Sequence, residues 1–327
     1  MKKRLLSGMR PTGPLHLGHL VGALRNWAKL QNKYDCFFMV ADWHAHMSEY
    51  ESPGEIRRYT LDNVIDWISC GLDPEKSTLF VQSHIKEHTE LHLIFSNITP
   101  LGWLERCPTY KEQLRELAWR DLHTYGFLGY PVLQAADILI YKAYVVPVGQ
   151  DQLSHLEITR EILRRFQHIY KKSIFPQPQA LLTQTPKLLG IDNRKMSKSY
   201  NNFIALSDSP DNVCRKTARM ITDPQRIKKS DPGHPEICNV FSYFKTFKPE
   251  MEKEVYHWCS RAIAGCTECK RKLASVLNEV LAPIRQKRQE LIRNKSRLKD
   301  ILREGKEKAS GVASNTLAEV KKLIGLY

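Results

Sequence analysis

The sequence predicts an α/β protein: a doubly wound parallel sheet of the Rossmann type with a helical insertion, followed by an all-helical C-terminal domain. Three observations carry this reading. Apolar runs of strand length alternate with segments of helical period, which is the pattern of a sheet wound by crossover helices. One run, Cys36 to Ala41, is apolar without interruption, as a central strand covered on both faces must be. After Ser199 the period stays helical to the end of the chain. At 327 residues the chain exceeds the length at which single cores stop growing, so two units are expected. They are a catalytic unit over 1–200, with its insertion at about 87–143, and a helical unit over 201–327.

In chain order, Leu5 to Met9 reads as a short strand, and the turn Pro11-Thr12-Gly13-Pro14 leads into a helical pattern from Gly18 to Leu30. Cys36 to Ala41 is the central strand. Ile56 to Cys70 has helical spacing, stops at Gly71, and precedes the strand Ser77 to Val81. From Glu87 to Phe166 the patterns are mainly helical, with Tyr144 to Val148 as an interposed strand. The stretch Lys270 to Lys308 is thick with Lys and Arg.

Lys and Arg number 50 against 35 Asp and Glu, a net charge of +15 that attracts a polyanion, and nucleic acid is the leading candidate. A composition of 42% hydrophobic and 26% charged residues, with no run approaching the length of a membrane span, excludes a membrane-embedded class. The basic start Lys2-Lys3-Arg4-Leu5-Leu6 is cut short by Ser7, Gly8, Arg10 and Pro11, so a cytoplasmic protein is expected. Eight cysteines in such a protein point to free thiols or metal ligands.

Two constellations carry chemistry. His16-Leu17-Gly18-His19 follows the Pro11-Thr12 turn between the first strand and the first helix, where a doubly wound sheet binds its ligands. Two imidazoles three residues apart can donate to the same phosphate oxygens, and Gly18 admits a nucleotide close to the backbone. Lys195-Met196-Ser197-Lys198-Ser199 is a basic loop after the turn-rich Gly190 to Arg194, and compact ammonium charges there can close on a departing pyrophosphate.

Together and in this order the two resemble the HIGH and KMSKS motifs of class I aminoacyl-tRNA synthetases, the second letter for letter. Ser7 to Gly13, Ala41-Asp42-Trp43-His44-Ala45, Tyr130 to Leu139 and Val146 to Gln152 extend the resemblance, over nearly the whole chain, to the tryptophanyl-tRNA synthetase family. The resemblance implies tryptophan activation with MgATP and transfer to tRNA(Trp), in a homodimer. His16, His19, Lys195 and Lys198 would then be catalytic. Arg10, Pro11, Thr12, Gly18, Gly149, Gln150, Asp151, Met196, Ser197 and Ser199 would complete the ATP site. Asp137 would face the indole N–H, a donor-only group suited to an acceptor-only carboxylate. Tyr130 and Gln152 would hold the amino group, with His44 in the same pocket.

The chain departs from many bacterial relatives in having Arg10 for Gln, Gln150 for Glu, and the full His16-Leu17-Gly18-His19 for a degraded form. The nearest rival, tyrosyl-tRNA synthetase, shares a pattern like Gln134 to Asp137 but usually places a tyrosine where Leu6 stands. More distant rivals are a small-molecule nucleotidyltransferase and an RNA-binding paralogue without aminoacylation.

Cys238, Cys259, Cys266 and Cys269 read Cys-x20-Cys-x6-Cys-x2-Cys, a set that can close a tetrathiolate site for zinc or for an iron–sulfur cluster, or can be four unrelated thiols. A subset of tryptophanyl-tRNA synthetases has a similar array, and that resemblance implies a [4Fe–4S] cluster with a structural role.

Overall fold

The protein is described by a computed structural model covering residues 2–182, 188–196 and 200–326, apart from the side chains of Pro53 and Asp151. Strands β1 (Arg4–Met9), β2 (Asp35–Val40), β3 (Ser77–Val81), β4 (Val145–Val148) and β5 (Gln179–Leu182) form one parallel sheet in the order β3-β2-β1-β4-β5. The order reverses at β1. There β1 pairs with β4 only at Leu5 with Val145, so the two strands part toward their carboxyl ends and open a crevice.

After β1, α1 (Leu17–His19), a π-helical turn (Leu20–Leu24) and α2 (Arg25–Leu30) run without a break. Then come α3 (Asp42–Glu49) and α4 (Pro53–Ser69), the latter ending before Gly71 at φ 102°. Between β3 and β4 lie α5 (Glu87–Ser96), α6 (Leu101–Glu105), α7 (Pro108–Glu116), α8 (Tyr125–Leu128) and α9 (Tyr130–Ile140). α10 (Leu153–Tyr170) links β4 to β5. The remainder is helical with irregular connections: α11 (Pro210–Ala218), α12 (Asn239–Phe247), α13 (Glu252–Ser260), α14 (Cys266–Arg293) and α15 (Lys295–Ile324).

The sheet separates two apolar clusters, and the period-2 alternation of its strands decides which residue joins which. Leu5, Phe38, Val40, Leu79 and Val81 face Trp27 of α2 and Trp67 of α4, and this cluster continues into Tyr243 and Phe244 of α12 and Leu277 and Leu281 of α14. Leu6, Phe37, Met39 and Phe80 face α5, α9 and α10, together with Ala309, Ala313 and Leu317 of α15. The C-terminal helices thus pack on both faces of the sheet. Where α15 crosses the edge strand β3, a Cβ on Gly305 would collide with the Leu79 carbonyl oxygen, so only glycine lets the helix cover that edge.

The doubly wound sheet and the helical C-terminal region agree with the sequence. β5 was not anticipated. It is four residues long, half exposed, and preceded by Pro176 and Pro178, so no alternation marks it. Among the described residues no helix is long and apolar enough to cross a membrane.

Candidate active site

A cavity of about 330 Å³ opens in the crevice between β1 and β4. Its lining includes Leu6 from β1, Tyr130 and Asp137 from α9, Gln152 and His155 beyond β4, and His44 from α3. The four residues expected to hold the amino acid are thereby brought to one site. Leu6, expected to replace a hydroxyl-reading tyrosine, stands in the wall.

Asp137 is buried, with 2% of its surface exposed, yet its carboxylate is well supplied with donors. Oδ1 accepts from Gln82 Nε2 at 2.8 Å and from His88 Nδ1 at 2.6 Å, while Oδ2 accepts from His44 Nε2 at 2.7 Å. Burial alone would raise its pKa. The hydrogen bonds from His44 and His88 and the attraction of both rings outweigh burial and hold the carboxyl well below the usual carboxylate range. The site is thus an ionised acceptor at the base of an apolar slot.

At the amino-group end, Tyr130 Oη lies 2.6 Å from His155 Nε2, and His155 Nδ1 lies 2.9 Å from Gln152 Oε1. Burial pushes the Tyr130 phenol far up, so it keeps its proton and donates to Nε2. This network assigns the proton of His155 to Nδ1, which donates to Gln152.

The first motif is ordered by its own rings. His16 caps α1, its Nδ1 accepting from the Gly18 N–H at 3.1 Å, while His19 Nδ1 accepts from the His16 N–H at 3.2 Å. Both acceptor nitrogens are Nδ1, so the network leaves each proton on Nε2 as a donor. The rings lie 3.9 Å apart between centroids. A Cβ on Gly18 would stand 2.9 Å from the His16 ring and 3.2 Å from Met196 Sδ, so this glycine lets the second motif pack directly on the first.

The segment beyond the second motif completes the junction. His16 bridges Ala205 in antiparallel fashion, the Leu17 N–H donates to Ile204 O at 3.0 Å, and the Leu206 N–H donates to Leu15 O at 2.9 Å. Asn202 Nδ2 donates to Lys195 O at 3.1 Å and to Asp192 Oδ1 at 2.7 Å, and Arg194 Nε donates to Asp192 Oδ2 at 2.8 Å. Lys195 is exposed, its Nζ 3.8 Å from Glu116 Oε1 on α7. Ser197, Lys198 and Ser199 lie outside the described residues.

The other expected ATP residues are placed individually by local contacts. Pro11 is buried, and the Thr12 N–H donates to Arg10 O at 2.9 Å, which closes the turn. Arg10 Nη1 donates to Ser48 Oγ at 3.2 Å and lines the mouth of the cavity. Gly149 O accepts from the Gln152 N–H at 3.1 Å, Gln150 is exposed, and the side chain of Asp151 lies outside the described part.

Sequence reasoning missed Gln82, His88, Tyr141 and His155. A polar residue directly after the apolar run Leu79-Phe80-Val81 that ends β3 was a usable signal for Gln82. The others became legible only when α5, α9 and α10 were placed against one another.

Cys238, Cys259, Cys266 and Cys269 are free thiols within electrostatic reach of each other, and burial, reinforced by the other three sulfurs, pushes Cys269 up to about 12. Arg226 Nη1 lies 3.9 Å from Cys266 Sγ. Among the described residues, however, no three His, Cys, Asp or Glu side chains are set to hold a metal ion. The fold thus brings the thiols into one region, but the expected iron–sulfur centre is not shown.

A parallel sheet whose first turn bears two oriented imidazoles, clamped to a lysine-bearing loop beside an amino-acid-sized slot, defines an aminoacyl-tRNA synthetase of the Rossmann-type class. Residues 1–282 match the family described as tRNA synthetases class I (W and Y), and the chain belongs to it. It is 50% identical over 326 residues to the tryptophan–tRNA ligase of Thermotoga maritima, covering 99% of each chain, and 44% identical to that of Aquifex aeolicus, covering 99% of this chain and 100% of the other. A crystal structure of tryptophanyl-tRNA synthetase from Campylobacter jejuni, complexed with ADP and tryptophan, superposes with a TM-score of 0.90 at 34% identity, covering 99% of this chain and 100% of that one. The tyrosyl-tRNA synthetase of Archaeoglobus fulgidus, at 23% identity and a TM-score of 0.67 over 88% of this chain and 90% of its own, shares the fold.

Proposed function

We propose that the protein is a tryptophan–tRNA ligase, which activates L-tryptophan with MgATP and transfers it to tRNA(Trp). The observation that carries this is the ionised, buried Asp137 at the base of the cavity, an acceptor for a ring N–H, with Leu6 in the wall. The full-length likeness to tryptophan–tRNA ligases supports the same reading.

In the first step a tryptophan carboxylate oxygen attacks the α-phosphorus of ATP. The new P–O bond forms as the bond to the β,γ-pyrophosphate breaks, and pyrophosphate leaves with its electron pair. Tyr130 and Gln152 hold the amino group, and positioning supplies most of the rate. His16 and His19 direct Nε2–H donors at phosphate oxygens, while Lys195 and Lys198 balance the charge gathering on pyrophosphate. Pro11, Thr12, Gly18, Gly149, Asp151, Met196, Ser197 and Ser199 line the nucleotide, with Arg10 and Gln150 at its border. Magnesium, bound with ATP, neutralises phosphate charge. In the second step the terminal ribose hydroxyl of tRNA attacks the adenylate carbonyl, its proton passes to a phosphate oxygen of the adenylate, and AMP leaves as the ester forms.

Residues 1–200 serve as the catalytic unit, and 201–327 as the anticodon-binding unit, in a cytoplasmic homodimer. Cys238, Cys259, Cys266 and Cys269 suit a [4Fe–4S] cluster, or zinc in its place, because four gathered thiols supply soft thiolate ligands once deprotonated. Such a group would crosslink the segments around α12, α13 and α14. Anaerobically purified protein that is colourless, with stoichiometric zinc and neither iron nor sulfide, would exclude the cluster. The test of the activity is ATP–pyrophosphate exchange with tryptophan, with tyrosine and with neither. Exchange with tryptophan alone is expected; exchange with tyrosine, or none, overturns the assignment.

A further inference from the structure

We infer that His88 is a specificity-determining positioning residue, a buried donor that keeps Asp137 an oriented acceptor for the substrate's ring N–H. The inference deepens the tryptophan–tRNA ligase reading and rests on it. A carboxyl at the base of an apolar slot is driven by burial toward its neutral form. A protonated Asp137 would offer an O–H donor in place of an acceptor position and would leave an indole N–H with poor hydrogen bonding. Donors fixed behind the carboxylate oppose that drift.

The three donors are not equivalent. His44 lines the cavity and is partly exposed, so a ligand touches it and can shift it. Gln82 donates from an amide whose Oε1 has no hydrogen-bond partner among the described residues, so its far side is not pinned. His88 is fully buried, stands behind Asp137 and does not line the cavity. Its ring is pinned from the far side: Tyr141 Oη lies 2.8 Å from Nε2, and the Phe80 ring lies nearly parallel to it at 6.1 Å. Tyr141 sits one turn beyond Asp137, at the end of α9, so one helix supplies both the carboxylate and the anchor of its donor. The carboxylate of Asp137 can only accept, which places the proton of His88 on Nδ1; Nε2 then accepts from the Tyr141 hydroxyl, which burial keeps protonated.

A carboxylate has about four lone-pair positions, and the bonds from Gln82, His88 and His44 occupy three, two on Oδ1 and one on Oδ2. The remaining position is on Oδ2, beside His44. A ligand with one ring donor fills it. His88 touches no substrate in this arrangement and acts through Asp137.

The experiment compares kcat/KM in pyrophosphate exchange for tryptophan and for its benzothienyl analogue, in which sulfur replaces the ring N–H. The wild-type enzyme is expected to prefer tryptophan by at least about a hundredfold, because a site built around a hydrogen bond discriminates strongly against its loss. In His88→Leu that ratio is expected to fall at least about tenfold, through loss of activity on tryptophan, with the analogue little affected. His88→Asn, whose amide N–H stands near the place of Nδ1–H, is expected to keep most of the preference. A uniform fall for both substrates, with the ratio unchanged, overturns the inference. If His88→Leu does not fold, Tyr141→Phe decides: a ratio lowered a few-fold supports the role, and an unchanged ratio overturns it. A wild-type enzyme that does not prefer tryptophan to the analogue overturns instead the placement of Asp137 at the ring N–H, which separates the two failures.

Discussion

Asp137 differs from an ordinary surface aspartate in that its environment has already selected one protonation state. Its folded-state pKa lies below the unfolded value of about 3.9, so its contribution to stability is fully present above pH 4 and is lost as pH falls from there toward the folded value. Asp137→Asn keeps the shape but replaces one acceptor oxygen by an NH₂ that faces donors. Activity with tryptophan is expected to drop by about two orders of magnitude or more. The thermal stability of the wild type should exceed that of the variant at pH 7, with the gap narrowing between about pH 4 and pH 3. A gap that stays constant on acidification would mean that Asp137 is not held ionised. The place proposed for Asp137 came from the family resemblance, and it fits chemically because an acceptor-only carboxylate matches a donor-only ring N–H. Gln82 and His88 were not legible, and His44 was expected only as a pocket residue, since the three donors come from separate elements and no spacing links them.

Strands β2 and β3 were legible for a different reason: a covered strand carries apolar residues on both faces, as Cys36 to Val40 and Leu79 to Val81 do, whereas β5 is half exposed. The placement of α14 was hidden, because its decisive contact is a charge. Arg288 Nη1 donates to Asp66 Oδ1 on α4 and Nη2 to Asp62 Oδ1 at 3.2 Å, and both Arg288 and Asp66 are buried. In a sequence so rich in arginine, nothing distinguishes this one from its solvated neighbours. Burial raises the Asp66 pKa to about 7 against the opposing pull of Arg288. A carboxyl with a raised folded-state pKa favours the fold below the unfolded value, and that contribution is lost as pH rises through the folded one. Arg288→Met removes the attraction that makes ionised Asp66 tolerable, so a loss of about 3–5 kcal/mol is expected at pH 8. The loss should shrink toward pH 5, where Asp66 takes up a proton. Chemical denaturation at the two pH values checks this, and an equal loss at both would show that packing rather than charge joins α14 to α4.

Across the whole molecule the net charge of +15 is unevenly used. Some basic side chains of the last two helices are paired, as Lys287 with Glu290, Arg303 with Asp300 and Lys308 with Asp35. Arg271, Lys272, Lys295, Arg297 and Lys299 are exposed on the same helices, and their reading as a polyanion-facing surface separates two reactions that one chain performs. In the proposed site, tryptophan activation would occupy the cavity beside α9, among short-range contacts that salt screens little. On the proposed reading the basic helices displace counterions from the tRNA phosphate backbone during charging, and each such contact makes affinity fall with salt concentration. Raising salt from about 50 to about 200 mM should therefore lower kcat/KM for tRNA by one to several orders of magnitude, while pyrophosphate exchange changes by less than about threefold. The double charge reversal Lys295→Glu with Arg297→Glu should lower the tRNA term and flatten its salt dependence, with exchange intact. If exchange and charging fall together with salt, the basic helices stabilise the catalytic fold and do not bind the polyanion.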